Sequence, residues 1–538
     1  MSHHGVALLD AAAARAGDAA AVDAGDTWAG LMHRAAGHLA RGVEQAAGPL
    51  TGRRVVVCVG SGNNGGDGWS AAPRLRDRGA GVEVVSTAPL DADLSDEAAA
   101  ARAAWLGSGG HAVVGIEAAG AALERADVVV DCLLGTGSTG APRGDVGPVV
   151  AAIRAARTRG AVVVACDIPT GVESDTGAAH DAVVADLTVT FGGLKRGLVL
   201  QPGAGHTGRI VVGDLGPRYA PPEVAWRALG VADALPATLG ASDDKRARGV
   251  ALAVAGSVGA GGAAILCTRG LLYAGAGLVT LATPAHVQRV IVPAVPSAMT
   301  RPLRHSGEHV SADAVDQLDD VDAFDVVVAG PGLGPTAGTR AVADHLRASA
   351  RRLVLDADAV NVYRDDPDAL ATHAGDLVLT PHARELARIG GGRDGDEAWA
   401  QRVERVPALA RDLDATIVAK GPSTIVAAPD GRIWVTPIGG PELGTGGTGD
   451  VLAGMVAAAV STADDVPLAT ARAVWWHAFA GAWLARGRPA PDAMSTTVGG
   501  TDAFGPASEL AVALPAAQGM MRRLAAFAPG WPLPEGLA

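Results

Sequence analysis

The chain has 538 residues, which is more than one hydrophobic core normally supports, so we expect two domains, with three as the alternative. Its 44 Lys and Arg against 57 Asp and Glu give a net charge of -13, and no basic block interrupts this acidic excess. The charge balance argues against nucleic acid or an anionic membrane as a partner and favours a small-molecule ligand.

The cysteines and the apolar stretches predict a cytoplasmic protein. Each cysteine lies in an apolar run and none forms a CxxC pair, which favours buried small side chains over metal ligands or disulfides. The cysteines are Cys58, Cys132, Cys166 and Cys267. The first residues lack the charged-then-apolar order of a signal peptide. Residues 250–268 and 270–288 approach membrane-spanning length, but their glycines and Pro284 predict strand, loop and helix instead. We also expect a homo-oligomer.

Short β-branched runs alternate with alanine-rich helical patterns through the first half of the chain. The predicted strands are Val55–Val59, Val82–Val85, Val128–Val130, Val162–Ala165 and Leu187–Thr190. This alternation predicts βαβ units and a doubly wound α/β domain with a mainly parallel sheet. Four of the strands end in glycine-rich or polar loops, which should converge on the ligand-binding edge of the sheet. The last of these loops contains Lys195, which is either a phosphate anchor or a solvated surface lysine.

The first of these loops, Gly60–Gly68, reads GSGNNGGDG and places bare backbone N–H groups where anions bind. Its glycines satisfy the G-x-G-x-x-G pattern of dinucleotide-binding proteins, with Glu83 roughly 20 positions further on. That pattern alone is weak evidence, because the carboxylate of Asp67 would repel a phosphate. Together with this carboxylate, the amides of Asn63 and Asn64 suit hydroxyls, a carboxamide or a cation.

The expected strand order brings three carboxylates, Asp67, Asp131 and Asp167, to the same edge of the sheet. If Asn64, Asp131 and Thr170 point into one pocket, they supply oxygen ligands for a hard cation. The alternative is that each aspartate caps a helix or a turn. Asp167 lies directly before an Ile-Pro-Thr-Gly turn, which makes it the candidate for proton transfer.

A second α/β alternation follows a proline-rich interruption, and we place the domain boundary between Tyr219 and Ser242. Its predicted strands are Val250–Val254, Leu278–Ala282, Val326–Ala329, Leu353–Leu355, Leu377–Leu379 and Ile417–Ala419. The segment Gly444–Gly454 then places glycines before an apolar helix, which forms an anion hole from backbone N–H groups and the helix dipole. At the start of this helix, Asp450 can accept a proton from a hydroxyl that attacks a phosphoryl group. We favour this role over a simple helix cap.

Four motifs of the first half read GSGNNGGDG, DCLLGTGSTGAPRG, VACDIPTGV and TFGGLKRG. In this order and spacing, over about residues 31–213, they resemble the NAD(P)H-hydrate epimerase family. The resemblance implies a Rossmann-like domain that interconverts the R and S forms of hydrated NADH and NADPH. It implies that the hydrate contacts Asn63, Asn64, Gly65, Gly66, Asp67, Gly135, Thr136, Gly137, Ser138, Thr139, Gly140 and Ala141. Asp167 is then the acid/base or substrate-binding carboxylate, while Asn64, Asp131 and Thr170 hold a potassium ion.

Motifs of the second half include AGPGLG, LDADAVN, LTPHARELAR, AKGPSTIV and GTGGTGD. The last resembles the ribokinase-like superfamily, and the set resembles NAD(P)H-hydrate dehydratase, usually ADP-dependent in bacteria, over about residues 245–526. The resemblance implies a ribokinase-like domain that uses an adenine nucleotide and magnesium, with Asp450 as the base. The hydrate would contact Ala263, Gly332, Gly334, His382 and Asp450. The nucleotide would contact Lys420, Gly421, Pro422, Ser423, Thr424 and Gly449.

Two residues of this set keep a structural alternative. His382 taken alone is more often a structural histidine, and only its Thr-Pro-His-x-x-Glu context favours substrate binding. Glu385 either steers magnesium or water, or is simply a helix N-terminal carboxylate.

The resemblances together predict a bifunctional repair enzyme that epimerises hydrated NADH and NADPH and dehydrates the S form. The predicted parts are an epimerase domain (1–220), a linker (221–242), a dehydratase domain (243–528) and a loose tail (529–538). The alternatives are a small-molecule kinase acting on vitamin precursors and a nucleotide-sensing or partner-binding protein with one inactive half. The sequence does not rank ADP over ATP.

Overall fold

A computed structural model describes residues 4–236, 240, 242, 244–390, 398–487 and 505–527. The chain forms two compact units, one of residues 7–226 and one of residues 1–6 together with 227–538. The predicted loose tail, 529–538, lies outside the described residues. Among the described helices, none combines the length and the apolar character that a membrane crossing requires.

The first unit is built on parallel strands with helices between them. Its helices are α1 (Ala11–Asp23), α2 (Trp28–Ala47), α3 (Asn63–Asp77), α4 (Asp96–Gly107), α5 (Ile116–Glu124) and α6 (Val146–Thr158). Its strands are β1 (Val6–Leu9), β2 (Arg54–Val59), β3 (Gly81–Ser86), β4 (His111–Val114), β5 (Val128–Cys132), β6 (Val162–Cys166), β7 (Leu187–Phe191), β8 (Leu194–Lys195) and β9 (Arg209–Gly213). The five predicted strands are confirmed to within one or two residues.

Strands β2 to β7 and β9 form one sheet in the order β4-β3-β2-β5-β6-β7-β9, and each pair is parallel. Strand β1 pairs in parallel with β8. Because side chains alternate along a strand, Val55 and Val57 pack with residues of α2 and α3, whereas Val56 and Cys58 pack with residues of α5 and α6. The doubly wound arrangement is therefore confirmed.

The chain leaves β2 toward β3 and β4 and then returns to β5 on the other side of β2. The topological switch point of the sheet thus lies between β2 and β5, where ligands of such folds bind. The loop that begins at Gly60 and the loop that begins at Leu133 both leave the sheet at this point.

The second unit has the same kind of architecture with more helices. Its helices are α7 (Gly261–Ala274), α8 (Ala285–Ile291), α9 (Ala337–Ser349), α10 (Asp358–Asn361), α11 (Ala383–Ile389), α12 (Ala398–Asp412), α13 (Thr448–Val460), α14 (Val466–Ala485) and α15 (Ala507–Phe527). Strand β10 (Trp226–Ala228) begins at the last residue of the first unit. The further strands are β11 (Val250–Val254), β12 (Leu278–Pro284), β13 (Met299–Leu303), β14 (His305–Ser306), β15 (His309–Val310), β16 (Val326–Ala329), β17 (Arg352–Leu355), β18 (Asp376–Leu379), β19 (Thr416–Ala419), β20 (Thr424–Ala427) and β21 (Ile433–Thr436).

In this unit the strand order runs β13-β12-β11-β16-β17-β18-β19-β20-β21. The pairs from β13 to β19 are parallel, and β20 and β21 add antiparallel strands. All six predicted strands are confirmed, and the two uncharged stretches form β11, α7, β12 and α8 as predicted. The four cysteines are free and buried, also as predicted. The switch point of this sheet lies between β11 and β16.

Helices α7 and α13 of the second unit pack with their backbones in direct contact. A Cβ atom added to Gly454 would lie 2.1 Å from the carbonyl oxygen of Cys267, and one added to Gly270 would lie 2.3 Å from that of Val451. Only glycine permits this approach, which fixes the position of the helix that carries Asp450.

Replacing Gly454 by alanine should therefore destabilise the second unit by about 1–3 kcal/mol, because the added methyl group must displace the backbone of α7. Urea unfolding followed by tryptophan fluorescence measures this, since Trp475 and Trp476 are buried in the same core. The matched control is Gly519→Ala in α15, which has no atom within 4 Å of the new methyl group. It should gain about 0.5–1 kcal/mol from helix propensity. Equal effects of the two substitutions would contradict the packing argument.

Candidate active sites

The first unit contains a cavity of about 510 Å³ at the switch point between β2 and β5. Eight of the predicted site residues line it, namely Asn63, Asn64, Asp67, Gly135, Thr136, Gly137, Ser138 and Asp167. Seven others do not line it, namely Gly65, Gly66, Asp131, Thr139, Gly140, Ala141 and Thr170. The cavity is also lined by residues of α1 and α2, which the sequence analysis did not connect with the site.

Glycines let the loops of this cavity approach each other. A Cβ atom on Gly60 would lie 2.1 Å from the carbonyl oxygen of Leu133, and one on Gly65 would lie 2.1 Å from that of Gly60. Helix α3 begins at Asn63, with Gly62 as its N-cap. The helix therefore begins inside the segment predicted as a loop, so that only Gly60–Gly62 precede it, and its first turn faces the cavity.

Asp167 is held by a buried ion pair with Lys195. The Lys195 Nζ donates to Asp167 Oδ1 at 2.7 Å, to Thr190 Oγ1 at 3.0 Å and to the Phe191 carbonyl at 2.7 Å. Asp167 also accepts a hydrogen bond from the Thr190 hydroxyl at 3.0 Å. Its backbone has a φ of 64°, a left-handed conformation that is unusual for a residue with a side chain. Strain of this kind is found where a side chain must point in one direction.

Lys195 is therefore neither of the two alternatives that the sequence left open. It is only 2% exposed, and its three N–H donors are used by Asp167, Thr190 and Phe191. One sequence signal would have identified it: the chain has only three lysines, Lys195, Lys245 and Lys420, whereas arginine supplies its other strong bases. Two of these three, Lys195 and Lys420, belong to the candidate active sites.

Two more carboxyl groups share the cavity with this pair. Burial, together with Asp167 and Asp18, raises the pKa of Asp67 well above its usual value, and Lys195 opposes this rise. Burial also raises the pKa of Asp18 to about 6. Asp18 in α1 and the cavity-lining Tyr219 were missed by sequence reasoning, because no local motif marks either of them.

Asp131 lies beneath the cavity lining, in a closed hydrogen-bond network. It is fully buried and accepts the backbone N–H of Thr170 at 2.8 Å, the Thr170 hydroxyl at 2.7 Å and the Leu133 N–H at 3.3 Å. The Thr170 hydroxyl accepts the N–H of Leu134 at 3.1 Å, and the Asn64 amide donates to the Leu134 carbonyl at 2.9 Å. Burial raises the pKa of Asp131 to about 6 although these hydrogen bonds oppose the rise. The network joins all three predicted cation ligands.

The Asn64 side chain leaves one polar atom unused. Its Oδ1 is buried and has no hydrogen-bond partner within the described residues. A buried carbonyl oxygen without a partner is costly and calls for a donor or a cation. Asp131 uses three of about four lone-pair positions of its carboxylate. The oxygen atoms that remain available on these side chains thus fit a hard cation such as potassium.

In the second unit, Lys420 and Asp356 form a comparable buried pair. The Lys420 Nζ lies 2.8 Å from Asp356 Oδ1, which also accepts the Thr380 hydroxyl at 2.8 Å. A Cβ atom on Gly449 would lie 3.3 Å from the Lys420 Nζ. The predicted nucleotide-binding residues Lys420 and Gly449 are thus brought together at the start of α13. Asp356, which lies in the LDADAVN motif, was not predicted to be their partner.

Asp450 lies in the first turn of α13, near the same lysine. Burial raises the pKa of Asp450 to about 7, with a further contribution from Asp356, while Lys420 opposes the rise. Among the described residues no hydrogen bond makes it a cap of this helix, whose N-cap is Gly447. A carboxyl group with this pKa can exchange a proton at neutral pH, as a general base must.

The predicted hydrate-binding residues occupy two places. Ala263 lies against Gly332, because a Cβ atom on Gly332 would come within 3.0 Å of the Ala263 Cβ. Gly334 donates its N–H to Asp358 at 2.8 Å. His382 is the N-cap of α11, where its Nδ1 accepts the N–H groups of Arg384 and Glu385.

Glu385 completes a capping box, since its Oε2 accepts the His382 N–H at 2.8 Å. The structural alternatives are therefore present for both residues, since His382 caps α11 and Glu385 is a carboxylate in its first turn. Half of the His382 side chain remains exposed, so it can still meet a ligand.

The predicted nucleotide loop, Lys420 to Thr424, connects the antiparallel strands β19 and β20. The Thr424 hydroxyl donates to the Gly421 carbonyl at 3.0 Å, and Arg402 donates to the Lys420 carbonyl at 2.7 Å. Ser423 is buried, whereas Gly421 and Pro422 are exposed. These bonds hold the turn in shape beside the start of α13.

Comparisons with known proteins agree with this division of the chain. A family described as YjeF-related protein N-terminus matches residues 29–197, and NAD(P)H-hydrate dehydratase matches residues 251–498. The bifunctional NAD(P)H-hydrate repair enzyme Nnr of Moorella thermoacetica is 36% identical over 474 residues, which cover 85% of this chain and 88% of that protein. Its counterpart of the same name in Mycobacterium tuberculosis is 37% identical over 438 residues, covering 80% and 84%.

A crystal structure of the ADP/ATP-dependent NAD(P)H-hydrate dehydratase of Bacillus subtilis, co-crystallised with ATP and Mg²⁺, is 28% identical. The match covers 54% of this chain and 96% of that chain, with a TM-score of 0.43. The extent and identity of the two full-length matches decide the family: the chain belongs to the bifunctional NAD(P)H-hydrate repair enzymes.

Proposed function

We propose that the first unit epimerises the R and S forms of hydrated NADH and NADPH, and that the second dehydrates the S form with an adenine nucleotide. The observation that carries this proposal is that each unit has an aspartate–lysine pair at the end of a parallel strand, beside a glycine-rich helix start. A dehydratase that accepts one epimer would leave the other unused, so an epimerase on the same chain supplies the missing substrate.

In the first unit we assign proton transfer to Asp167. Lys195 pairs with this carboxylate and orients it toward the cavity, so that it can exchange a proton with the substrate or with the water that adds to it. The carboxamide and ribose groups of the substrate would bind to Asn63, Asp67 and the backbone of Gly135–Ser138.

In the second unit we assign the general base to Asp450. It takes the proton of the hydrate hydroxyl as that oxygen attacks the terminal phosphoryl group, whose bond to the bridging oxygen breaks and releases the nucleotide with one phosphate fewer. Phosphate then leaves with the oxygen, and loss of a ring proton restores the dihydropyridine. Lys420 and the N–H groups around Gly449 would bind the nucleotide phosphates.

Two metal ions belong to this proposal. Potassium would be held by the Asn64 Oδ1, the Asp131 carboxylate and the remaining lone pair of the Thr170 hydroxyl, and it would order the loops beneath the cavity.

Magnesium, the second ion, usually binds through one or two carboxylates plus substrate phosphates. Asp356 and Glu385, together with Asp450, raise the pKa of Lys420 against the effect of burial, and their negative charge would attract such an ion to the nucleotide phosphates. Association of the chain into a homo-oligomer stays a prediction.

Variants of the two aspartates should separate the two activities. We expect Asp167→Asn to slow epimerisation at least about 100-fold and Asp450→Asn to slow dehydration by a similar factor, because each removes a proton-transfer group. The measurement starts from mixed R and S NADPH hydrate with ADP and magnesium and follows dihydropyridine absorbance. The wild type should convert both epimers to NADPH. Asp167→Asn should convert the S epimer and only as much of the R epimer as epimerises spontaneously.

Each variant is the control for the other, because the two residues lie in different units. If both variants kept wild-type turnover, the enzymatic assignment would fail. If wild type recovered only the S portion, the first unit would be inactive.

The dehydration rate should depend on the ionisation of Asp450. Because its pKa is raised to about 7, kcat/KM for the S hydrate should rise with pH through this value and then level off. The raised pKa also means that the folded state binds the proton of Asp450 more tightly than the unfolded chain. The free energy of unfolding should therefore fall as pH rises from the pKa of Asp450 in the unfolded chain through about 7. Initial rates and urea unfolding from about pH 5 to about pH 9 test both statements. A flat rate profile would contradict the assignment of Asp450 as the base.

Potassium should stabilise the first unit by binding to its folded state. We expect the midpoint of its thermal unfolding to rise with potassium but not with choline at equal ionic strength. Asn64→Leu should abolish this rise because it removes the Oδ1 ligand. Asn63→Leu, one position earlier, is the matched control and should keep the rise, since the Asn63 Oδ1 already accepts the Ser95 hydroxyl. The cation site would be disproved by equal responses to potassium and choline.

A further inference from the structure

Helix α1 brings a carboxyl group into the cavity of the first unit that the proposed chemistry has not used. Asp18 is half buried and lines the cavity together with Asp67, Asp167 and Lys195. Within the described part of the chain its carboxyl makes no hydrogen bond or ion pair, unlike Asp167, which accepts three hydrogen bonds. A polar group that faces a ligand cavity without a protein partner is available to the ligand.

Tyr219 fixes α1 beside the turn that holds Asp167. A Cβ atom on Gly17 would lie 2.7 Å from the Tyr219 hydroxyl, and one on Gly192 would lie 2.3 Å from the Tyr219 Cζ. The phenol ring therefore packs directly against both glycines. Gly17 precedes Asp18, and Gly192 follows Phe191, whose N–H bonds to Asp167 at 3.4 Å. Asp18 and Asp167 thus approach the same cavity from a helix and from a strand end.

The charges around this cavity do not balance when every acid is ionised. Asp18, Asp67 and Asp167 face the single ammonium of Lys195, and Arg15, Glu97 and Tyr219 also line the cavity. Lys195 pairs directly with Asp167 and leaves the other two carboxyls without a counter-ion. Burial raises the pKa of Asp18, with Lys195 opposing and Asp167 adding to the rise. Within one cavity, one carboxylate is thus paired with an ammonium group while the pKa of another is raised.

Inversion at the hydroxyl-bearing carbon needs one group that donates a proton and one group that accepts a proton. The carbon–oxygen bond breaks with its electron pair on the oxygen, which takes a proton from one carboxyl group and leaves as water. The ring nitrogen then forms an iminium bond to this carbon. Water adds to the opposite face of the carbon, the iminium electron pair returns to nitrogen, and a carboxylate takes the released proton. A single carboxyl group on one face would have to serve both faces of the ring.

We infer that Asp18 is a second catalytic carboxyl group of the first unit, which exchanges a proton with the substrate hydroxyl while Asp167 serves the other face of the ring. This inference rests on the proposed epimerase function. It assigns to α1 a part in the chemistry, in addition to its packing against α2.

The test measures conversion of R to S NADPH hydrate by chromatography without nucleotide, so that the second unit is idle. After the rate of spontaneous epimerisation is subtracted, we expect Asp18→Asn to lower kcat at least about 100-fold and to change KM far less. Asp18→Glu should recover part of the rate because it restores a carboxyl group. The matched control is Asp23→Asn, an exposed aspartate at the end of α1 that does not line the cavity and should keep the wild-type rate.

A pH profile separates catalysis from a structural role. Wild-type kcat/KM should fall as pH rises through the titration of Asp18, and this alkaline fall should be absent from the residual activity of Asp18→Asn. Dehydration of pure S hydrate by the same preparation verifies that the second unit is active, and an unchanged circular dichroism spectrum and thermal unfolding midpoint verify that the first unit is folded. Wild-type rates in Asp18→Asn, or a loss of rate with an unchanged pH profile, would overturn the inference. Absence of epimerisation in the wild type would instead overturn the proposed function.

Discussion

The buried aspartate–lysine pair is the interaction on which each unit depends. Lys195 lies 2.7 Å from Asp167 in the first unit, and Lys420 lies 2.8 Å from Asp356 in the second. Taking two charges out of water costs several kcal/mol per ion, and their attraction offsets this only when hydrogen bonds complete both partners. Here they do: Thr190 completes the first pair and Thr380 the second. Loss of either partner would leave an isolated buried charge.

The acids around these pairs are displaced toward the protonated form. Burial is the main cause, and neighbouring carboxylates add to the rise in pKa while the lysines oppose it. Asp450 beside the Lys420 pair and Asp18 beside the Lys195 pair are the two examples. Each lysine thus binds one carboxylate directly and leaves a buried neighbour whose raised pKa lets it exchange protons near neutral pH.

Glycine at close contacts lets the backbone form both sites. Gly60 meets the carbonyl of Leu133 where the two loops leave the first sheet, and Gly454 meets the backbone of α7 in the second unit. At these positions any side chain would collide with main-chain atoms, which cannot move aside without disturbing the sheet or the helix pair. The glycine-rich motifs are therefore as much a packing requirement as a ligand-binding feature.

The sequence by itself determined the strands, the two doubly wound units and the glycine loops at their switch points, because these follow from local periodicity and from the conformational range of glycine. It also placed Asp167 and Asp450 at a strand end and a helix start. Only the tertiary structure decided that Lys195 is buried against Asp167 and that Asp131 lies beneath the cavity. It also brought Asp18 from α1 into the site. Contacts between residues far apart in the chain depend on how helices and loops pack, and no local pattern encodes the distance between two such side chains.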